Sequence, residues 1–281
     1  MLIASWNVNS IRSRLSQITS WIKHTKPDVL CLQETKVVDK DFPLIPFENL
    51  GYKVIMDGQK SYNGVAIISK ADCTDIKYGF KGELKISDIV NEFDEQKRII
   101  SALINGIRII NIYVPNGSSL NSEKFEYKIN WLNKLNDYLI QQEKRGEHTC
   151  LLGDFNIAPS NNDIYDPNRF VECIMASKIE RETLKRILKN RFIDSFRVFE
   201  EFSGHWSWWD YRNNSFMLDR GWRIDLIYVS NNLLPRLKSS VIERDQRGND
   251  QPSDHVPVMI NIDYDEVFNE FDDEDEDIFE I

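Results

Sequence analysis

The sequence predicts a mixed α/β fold with antiparallel sheet, on three observations. Short apolar strand-like runs recur along the chain, and helical stripes fall between some of them. Two neighbouring runs join through Asn105-Gly106, the residue pair of a tight hairpin turn. With 41% hydrophobic residues in 281, the chain can build one large core, and no linker or internal repeat divides it. One domain over residues 1–262 and a tail over 263–281 are expected.

The runs are Leu2–Trp6, Val29–Leu32, Lys53–Met56, Val65–Ser69, Ile99–Ile104, Ile107–Val114, Thr149–Leu152, Ile224–Val229 and Val256–Ile262. Between the first two, Ile11, Leu15, Ile18 and Ile22 repeat at helical spacing, with Ser10 as cap and Pro27 closing the segment. Phe125, Ile129, Leu132, Leu135 and Leu139 form a second stripe, and Leu184, Ile187 and Leu188 a third. All three read as core-packing faces.

Met1–Trp6 lacks the length and basic start of a signal peptide and reads as the first strand. No run of about 18 apolar residues suggests a membrane span. Cys31, Cys73, Cys150 and Cys173 show no paired spacing and read as free thiols in a reducing cytoplasm. The net charge of −10 is concentrated in the tail, where residues 263–281 carry 11 acids and no Lys or Arg. The body holds 34 acidic and 35 basic residues, so a polyanionic substrate is compatible with it. The tail, with Phe268, Phe271 and Phe279 around its acids, reads as disordered. A sharper expectation is that it competes with such a polyanion for the basic face, so that deleting residues 265–281 tightens binding at low salt.

Chemistry concentrates where strands end. After Thr149–Leu152 comes Gly153-Asp154-Phe155-Asn156-Ile157-Ala158-Pro159. Residues two apart in extended chain point the same way, so Asp154 and Asn156 can converge on a hard cation or an attacking water. Asp and Asn also end strands as turn formers, so the pair needs support from other strand ends. Asn7 and Asn9, Glu34, Tyr113 and Asn116, Asp225, and Asp254 with His255 supply it if the strands align. Singly, Glu34 reads as well as a solvated carboxylate, Asn7 as a turn residue and Tyr113 as a core aromatic.

Taken together, Ser5-Trp6-Asn7-Val8-Asn9-Ser10-Ile11-Arg12, Leu32-Gln33-Glu34-Thr35-Lys36, Tyr113-Val114-Pro115-Asn116-Gly117, the Asp154 block, Trp222-Arg223-Ile224-Asp225 and Ser253-Asp254-His255 resemble the motif series of the exonuclease III family. These are apurinic/apyrimidinic endonucleases of the DNase I-like superfamily, and the resemblance runs from about Met1 to Ile262. It implies a four-layer α/β sandwich with a divalent-metal site at one rim. By resemblance, Glu34 is the main Mg²⁺ ligand (Mn²⁺ as substitute), with Asn7, Asp154, Asn156, Asp254 and His255 around the metal. Asp154 orients or deprotonates water, Asn156 holds that water or a phosphate oxygen, and His255, oriented by Asp225, contacts the phosphate. Tyr113 and Asn116 bind phosphate or assist the leaving group.

Specificity is expected from His205–Arg212 and Trp222, with Trp208, Trp222 and Ile224 lining a pocket and Trp209 packing behind. Arg12, Lys36, Arg212 and Arg223 are expected to contact the DNA backbone. Eukaryotic members carry an arginine after the Asn116 motif; Ser118 and Ser119 follow here, which favours the bacterial type. The implied enzyme cleaves 5′ to abasic sites in duplex DNA and works on 3′ ends, as a cytoplasmic, nucleoid-associated monomer. A same-fold phosphatase for lipid or nucleotide phosphoesters and a catalytically silent DNA-binding module are the alternatives.

Overall fold

Residues 1–84 and 89–263 are described by the computed structural model, so the acidic tail expectation lies outside the described residues beyond Asp263. The predicted strands form at β1 (Leu2–Asn7), β2 (Val29–Gln33), β3 (Lys53–Asp57) and β4 (Val65–Ser69). The rest of that set are β6 (Ile99–Ile104), β7 (Ile107–Tyr113), β8 (His148–Asp154), β10 (Asp225–Ser230) and β12 (Val258–Ile262). Three strands escaped the sequence reading: β5 (Thr74–Tyr78), β9 (Phe192–Asp194) and β11 (Leu237–Ile242). Each lies at a sheet edge, where only one side needs apolar cover.

One six-stranded sheet runs β11-β12-β1-β2-β4-β3 and the other β5-β6-β7-β8-β10-β9. Both are mixed, because β1 pairs in parallel with β2 and β7 with β8, while the remaining pairs are antiparallel. The β6–β7 hairpin turns at Asn105 and Gly106, both at positive φ (51° and 72°), as expected of a twist-matched turn.

Alternation decides what each face buries. Ile3, Val29, Cys31, Val65 and Ile67 of one sheet meet Ile100, Ile107, Ile109, Cys150, Leu152 and Val229 of the other in the central core. The opposite face of the first sheet (Ala4, Trp6, Leu30, Leu32) packs on α1 (Ile11–Thr25) through Ile18, Trp21 and Ile22. The opposite face of the second packs on α4 (Glu123–Glu143) and α5 (Lys178–Leu188). The result is four layers, α/β/β/α. Ser10 caps α1 by accepting the Ser13 amide, as predicted. Two further helices, α2 (Ile45–Glu48) and α3 (Ile89–Glu95), were not predicted. All four cysteines are free thiols, with Cys31 and Cys150 in the central core.

Following the central face along each strand leads out of this core. Ile3, Ser5, Asn7 lie on one side of β1; Cys31, Gln33 on β2; Ile109, Asn111, Tyr113 on β7; Leu152, Asp154 on β8; and Ile227, Asp225 on β10. An intermediate polar layer separates hydrocarbon from carboxylates. Gln33 Nε2 donates to Ser5 Oγ at 3.0 Å and to Asn111 Oδ1 at 2.7 Å, while Asn111 Nδ2 donates to the carbonyls of Leu32 and Ala66. Beyond it lies one rim.

Candidate active site

The two sheets bring their polar tips together at that rim. Tyr113, Asp154 and Asp225 stand in register on β7, β8 and β10. Gly153 makes this possible: its φ is 141°, and a Cβ there would lie 1.9 Å from the Ile112 carbonyl. From the other sheet, Asn7 ends β1, and Glu34 follows β2 with a left-handed backbone (φ 52°). Asn156 is also left-handed (φ 49°). Such conformations cost a non-glycine residue of order 1 kcal/mol and persist only where surrounding structure enforces them.

Asn7 joins the sheets. Its Nδ2 donates to Asp154 Oδ2 at 2.8 Å and to Glu34 Oε1 at 3.0 Å, while its Oδ1 accepts the Asn9 amide. To ligate a cation it would have to turn its amide over. Asn156 folds back on Asp154, its backbone N–H on Oδ1 and its Nδ2 on Oδ2, and its own Oδ1 accepts from Asn116 Nδ2 at 2.9 Å. The Tyr113 hydroxyl donates to Glu34 Oε1 at 2.9 Å. Burial, with Glu34 beside it, pushes that phenol well above its ordinary value, so it stays a donor.

His255 is held from several sides. Trp6 Nε1 donates to its carbonyl, and its Nδ1 lies 2.8 Å from Asp225 Oδ2, which also accepts from Ser207 Oγ. Its Nε2 is 3.8 Å from Asp154 Oδ2. Burial opposes the imidazolium charge, but Asp225 and Asp154 outweigh it and lift the ring to about 10. Ligation by His255 would therefore require loss of that proton. Asp154 moves the other way for a carboxylate. Burial raises it, His255 lowers it, and Asp225 and Glu34 raise it again, leaving it at about 7. Glu34 ends below its ordinary value, because burial is outweighed by Lys36 and Asn7.

The site fits a hard divalent cation on its own donor set. Asp154, Asp225 and His255 offer facing atoms within 4.8 Å of one another, the one such group among the described residues. Asp225 Oδ1 is buried without a hydrogen-bond partner. Lys36 places its ammonium 2.7 Å from Glu34 Oε2, so that carboxylate already faces a cation. Carboxylate oxygens around a partly open rim suit ions of the Mg²⁺ class.

Trp208, Trp222 and Ile224 stand beside this cluster, with short β-bridges from Trp208 to Trp222 and to His255. Trp208 is half-buried and donates its Nε1 to Asp254 Oδ2, which ties Asp254 to the wall. Asp254 Oδ1 accepts from Asn9. Trp222 and Ile224 are 5% and 1% exposed, and Trp209 packs fully, as expected. Arg212 projects outward from its loop with 84% of its side chain exposed, and Arg12 is also exposed. Arg223 corrects the sequence reading. It is 1% exposed and locked onto Asp163 and Asp194, so it cannot reach a DNA backbone. Its role is to anchor the start of β10 and hence Asp225.

A model of the endonuclease/exonuclease/phosphatase family matches residues 4–255. The chain belongs to that family. It is 37% identical to exodeoxyribonuclease III of Haemophilus influenzae, over 92% of this chain and 98% of that protein. Against an exodeoxyribonuclease of Bacillus subtilis the identity is 33%, over 93% of this chain and all of that protein (100%). Among solved structures, a 3′–5′ exonuclease from Neisseria meningitidis superimposes with a TM-score of 0.88 at 37% identity, covering 94% of this chain and 100% of that one. An AP endonuclease from Archaeoglobus fulgidus gives 0.87 at 36%, covering 94% and 99%. The family match and these exodeoxyribonuclease relatives together make the chain a hydrolase of the nuclease kind. Among the described residues, no helix is long and apolar enough to cross a membrane.

Proposed function

We propose that this family member is a Mg²⁺-dependent DNA-repair nuclease acting on double-stranded DNA. It hydrolyses the phosphodiester 5′ to an abasic site and also acts on 3′ ends, as exonuclease and 3′-phosphodiesterase. One observation carries the reading: Glu34, Asp154, Asn156, Asp225 and His255 meet at one rim beside the Trp208 wall. A related 3′ phosphatase from Neisseria, 36% identical, was solved with a product DNA hairpin. The catalytic unit is residues 1–262, working as a monomer in the cytoplasm near the nucleoid.

Hydrolysis needs a deprotonated water, neutralised phosphoryl oxygens and a stabilised leaving oxygen. Asp154, raised to about 7, is matched to accept a proton from water near neutral pH. Asn156 holds that water or a phosphate oxygen. The His255 imidazolium, fixed by Asp225 on one nitrogen, presents the other to the phosphate. Tyr113 and Asn116 donate to phosphate oxygens or to the leaving oxygen. Trp208, the partly exposed member of this wall, packs against the base-free sugar with Trp222 and Ile224 buried behind it, and Arg212 and Arg12 contact the backbone. Glu34 and Asp154, with Asn7, Asn156 and Asp254 nearby, would hold a Mg²⁺ ion, which would supply charge neutralisation on the phosphoryl oxygens. Mn²⁺ substitutes.

The test is a duplex carrying one abasic site, incubated with purified protein. A single nick on its 5′ side with Mg²⁺ and none with a chelator is expected. Turnover of a phosphoinositide in place of the duplex would overturn the DNA assignment.

A further inference from the structure

Lys128 lies in the second turn of α4, yet its side chain is fully buried (0% exposed), as is that of Glu180 on α5. Three oxygens surround its ammonium. It donates to the Asn156 carbonyl at 2.8 Å, to the Asn116 carbonyl at 3.2 Å and to Glu180 Oε1. An ammonium has three protons, so its donor capacity is fully used. Glu180 in turn accepts the amides of Met175 and Ser177 and the Ser177 hydroxyl.

The two carbonyls are not arbitrary. They belong to the residues whose side chains meet over Asp154, since Asn116 Nδ2 donates to Asn156 Oδ1 and Asn156 Nδ2 to Asp154 Oδ2. Asn156 sits at φ 49°, so its side chain depends on whatever grips its backbone. A buried ion pair is a weak route to stability, because apolar residues of similar volume pack as well or better. Joining α4 to α5 would not require a charge. Fixing two loop carbonyls at once does require a donor with several protons to give, which an apolar pair lacks and the Lys128 ammonium supplies.

We propose that Lys128 is a positioning residue for phosphodiester hydrolysis: it clamps the loops after β7 and β8 so that Asn116 and Asn156 hold their places against Asp154. The proposal rests on the nuclease reading of the rim.

The test compares Lys128→Met/Glu180→Gln, which removes both charges and keeps a capping residue at position 180, with Glu180→Gln alone. Incision of an abasic duplex is measured per folded molecule, well below each melting temperature. The double variant should lose about 10- to 100-fold in kcat with KM changed by less than about 3-fold, the scale of a small misplacement of catalytic groups. Glu180→Gln, which leaves the grip on both carbonyls, should stay within about 3-fold of wild type. In an Asn156→Ala background the double substitution should add little, because its effect runs through Asn156. Unchanged kcat, or the same fall repeated on top of Asn156→Ala, overturns the clamp. Lys128→Leu/Glu180→Leu answers the same question if the first pair does not fold. Wild-type incision by Asn156→Ala alone would instead refute the reading of the rim itself.

Discussion

Asp154 and Asp163 are equally buried, each about 1% exposed, and their surroundings push them in opposite directions. Asp163 accepts from Arg223, Arg197, and both the amide and hydroxyl of Ser160. Burial raises its carboxyl, but the two guanidinium groups more than offset that and hold it below the ordinary range. Asp154 receives only neutral donors, from Asn7 and Asn156, with His255 farther off and two other carboxylates close by. Away from the rim the fold satisfies its buried charge. At the rim it leaves charge incompletely matched, which is what a cation, a water proton or a phosphate can use.

The largest effect should come from breaking the unsatisfied side of this contrast. Asp154→Asn keeps size and most hydrogen bonds but removes the proton acceptor, and should lower incision by about 10²- to 10⁴-fold. Its melting temperature in chelator should not fall, because a carboxylate held near others is lost. His255→Ala should also abolish most incision. Retained incision in either purified variant would remove that residue from the reaction.

The satisfied side should answer in stability instead. Asp163→Asn leaves Arg197 and part of Arg223 without a counter-charge, and removing one partner of a buried pair costs about 3–5 kcal/mol. Urea denaturation reads that cost, while incision per folded molecule should stay within about 3-fold, since Asp194 still holds Arg223. A variant of native stability would show that this cluster does not anchor β10.

The same contrast explains what the sequence disclosed. Strand tips were legible because a period of two is written in consecutive residues: Ile3, Ser5, Asn7 or Leu152, Asp154. Interior strands were legible as short continuous apolar runs, because both of their faces are covered. Of the four edge strands, β3 was legible and three were not: in β5 the buried residue is Lys77, and a bulge between Leu237 and Ser239 interrupts β11. Charges were hardest of all. Arg223 sits inside a motif with Asp225 and was taken for a DNA contact, because nothing local announces its partners Asp163 and Asp194. Lys128 was passed over among the apolar stripe of α4, since Glu180 lies 52 residues away. A carboxylate's direction depends on such distant partners, and so does its chemistry.

The smallest effect at neutral pH, and the sharpest on the comparison, is the acid response of the two carboxyls. Asp163 has a folded value below its unfolded one of about 4, so the folded state binds fewer protons there. Its contribution is complete above that unfolded value and disappears as pH falls through the lower folded one. Asp154, raised to about 7, has the opposite sign: its contribution is complete below about 4 and is lost as pH rises through about 7. Urea midpoints in chelator from pH 3 to 8 should therefore separate the variants. The deficit of Asp163→Asn against wild type should shrink as the pH drops, whereas wild type should lose ground to Asp154→Asn as the pH climbs from 4 to 7. Parallel curves for the two variants would mean that the fold treats both buried carboxyls alike, and that the mismatch at the rim is not electrostatic in origin.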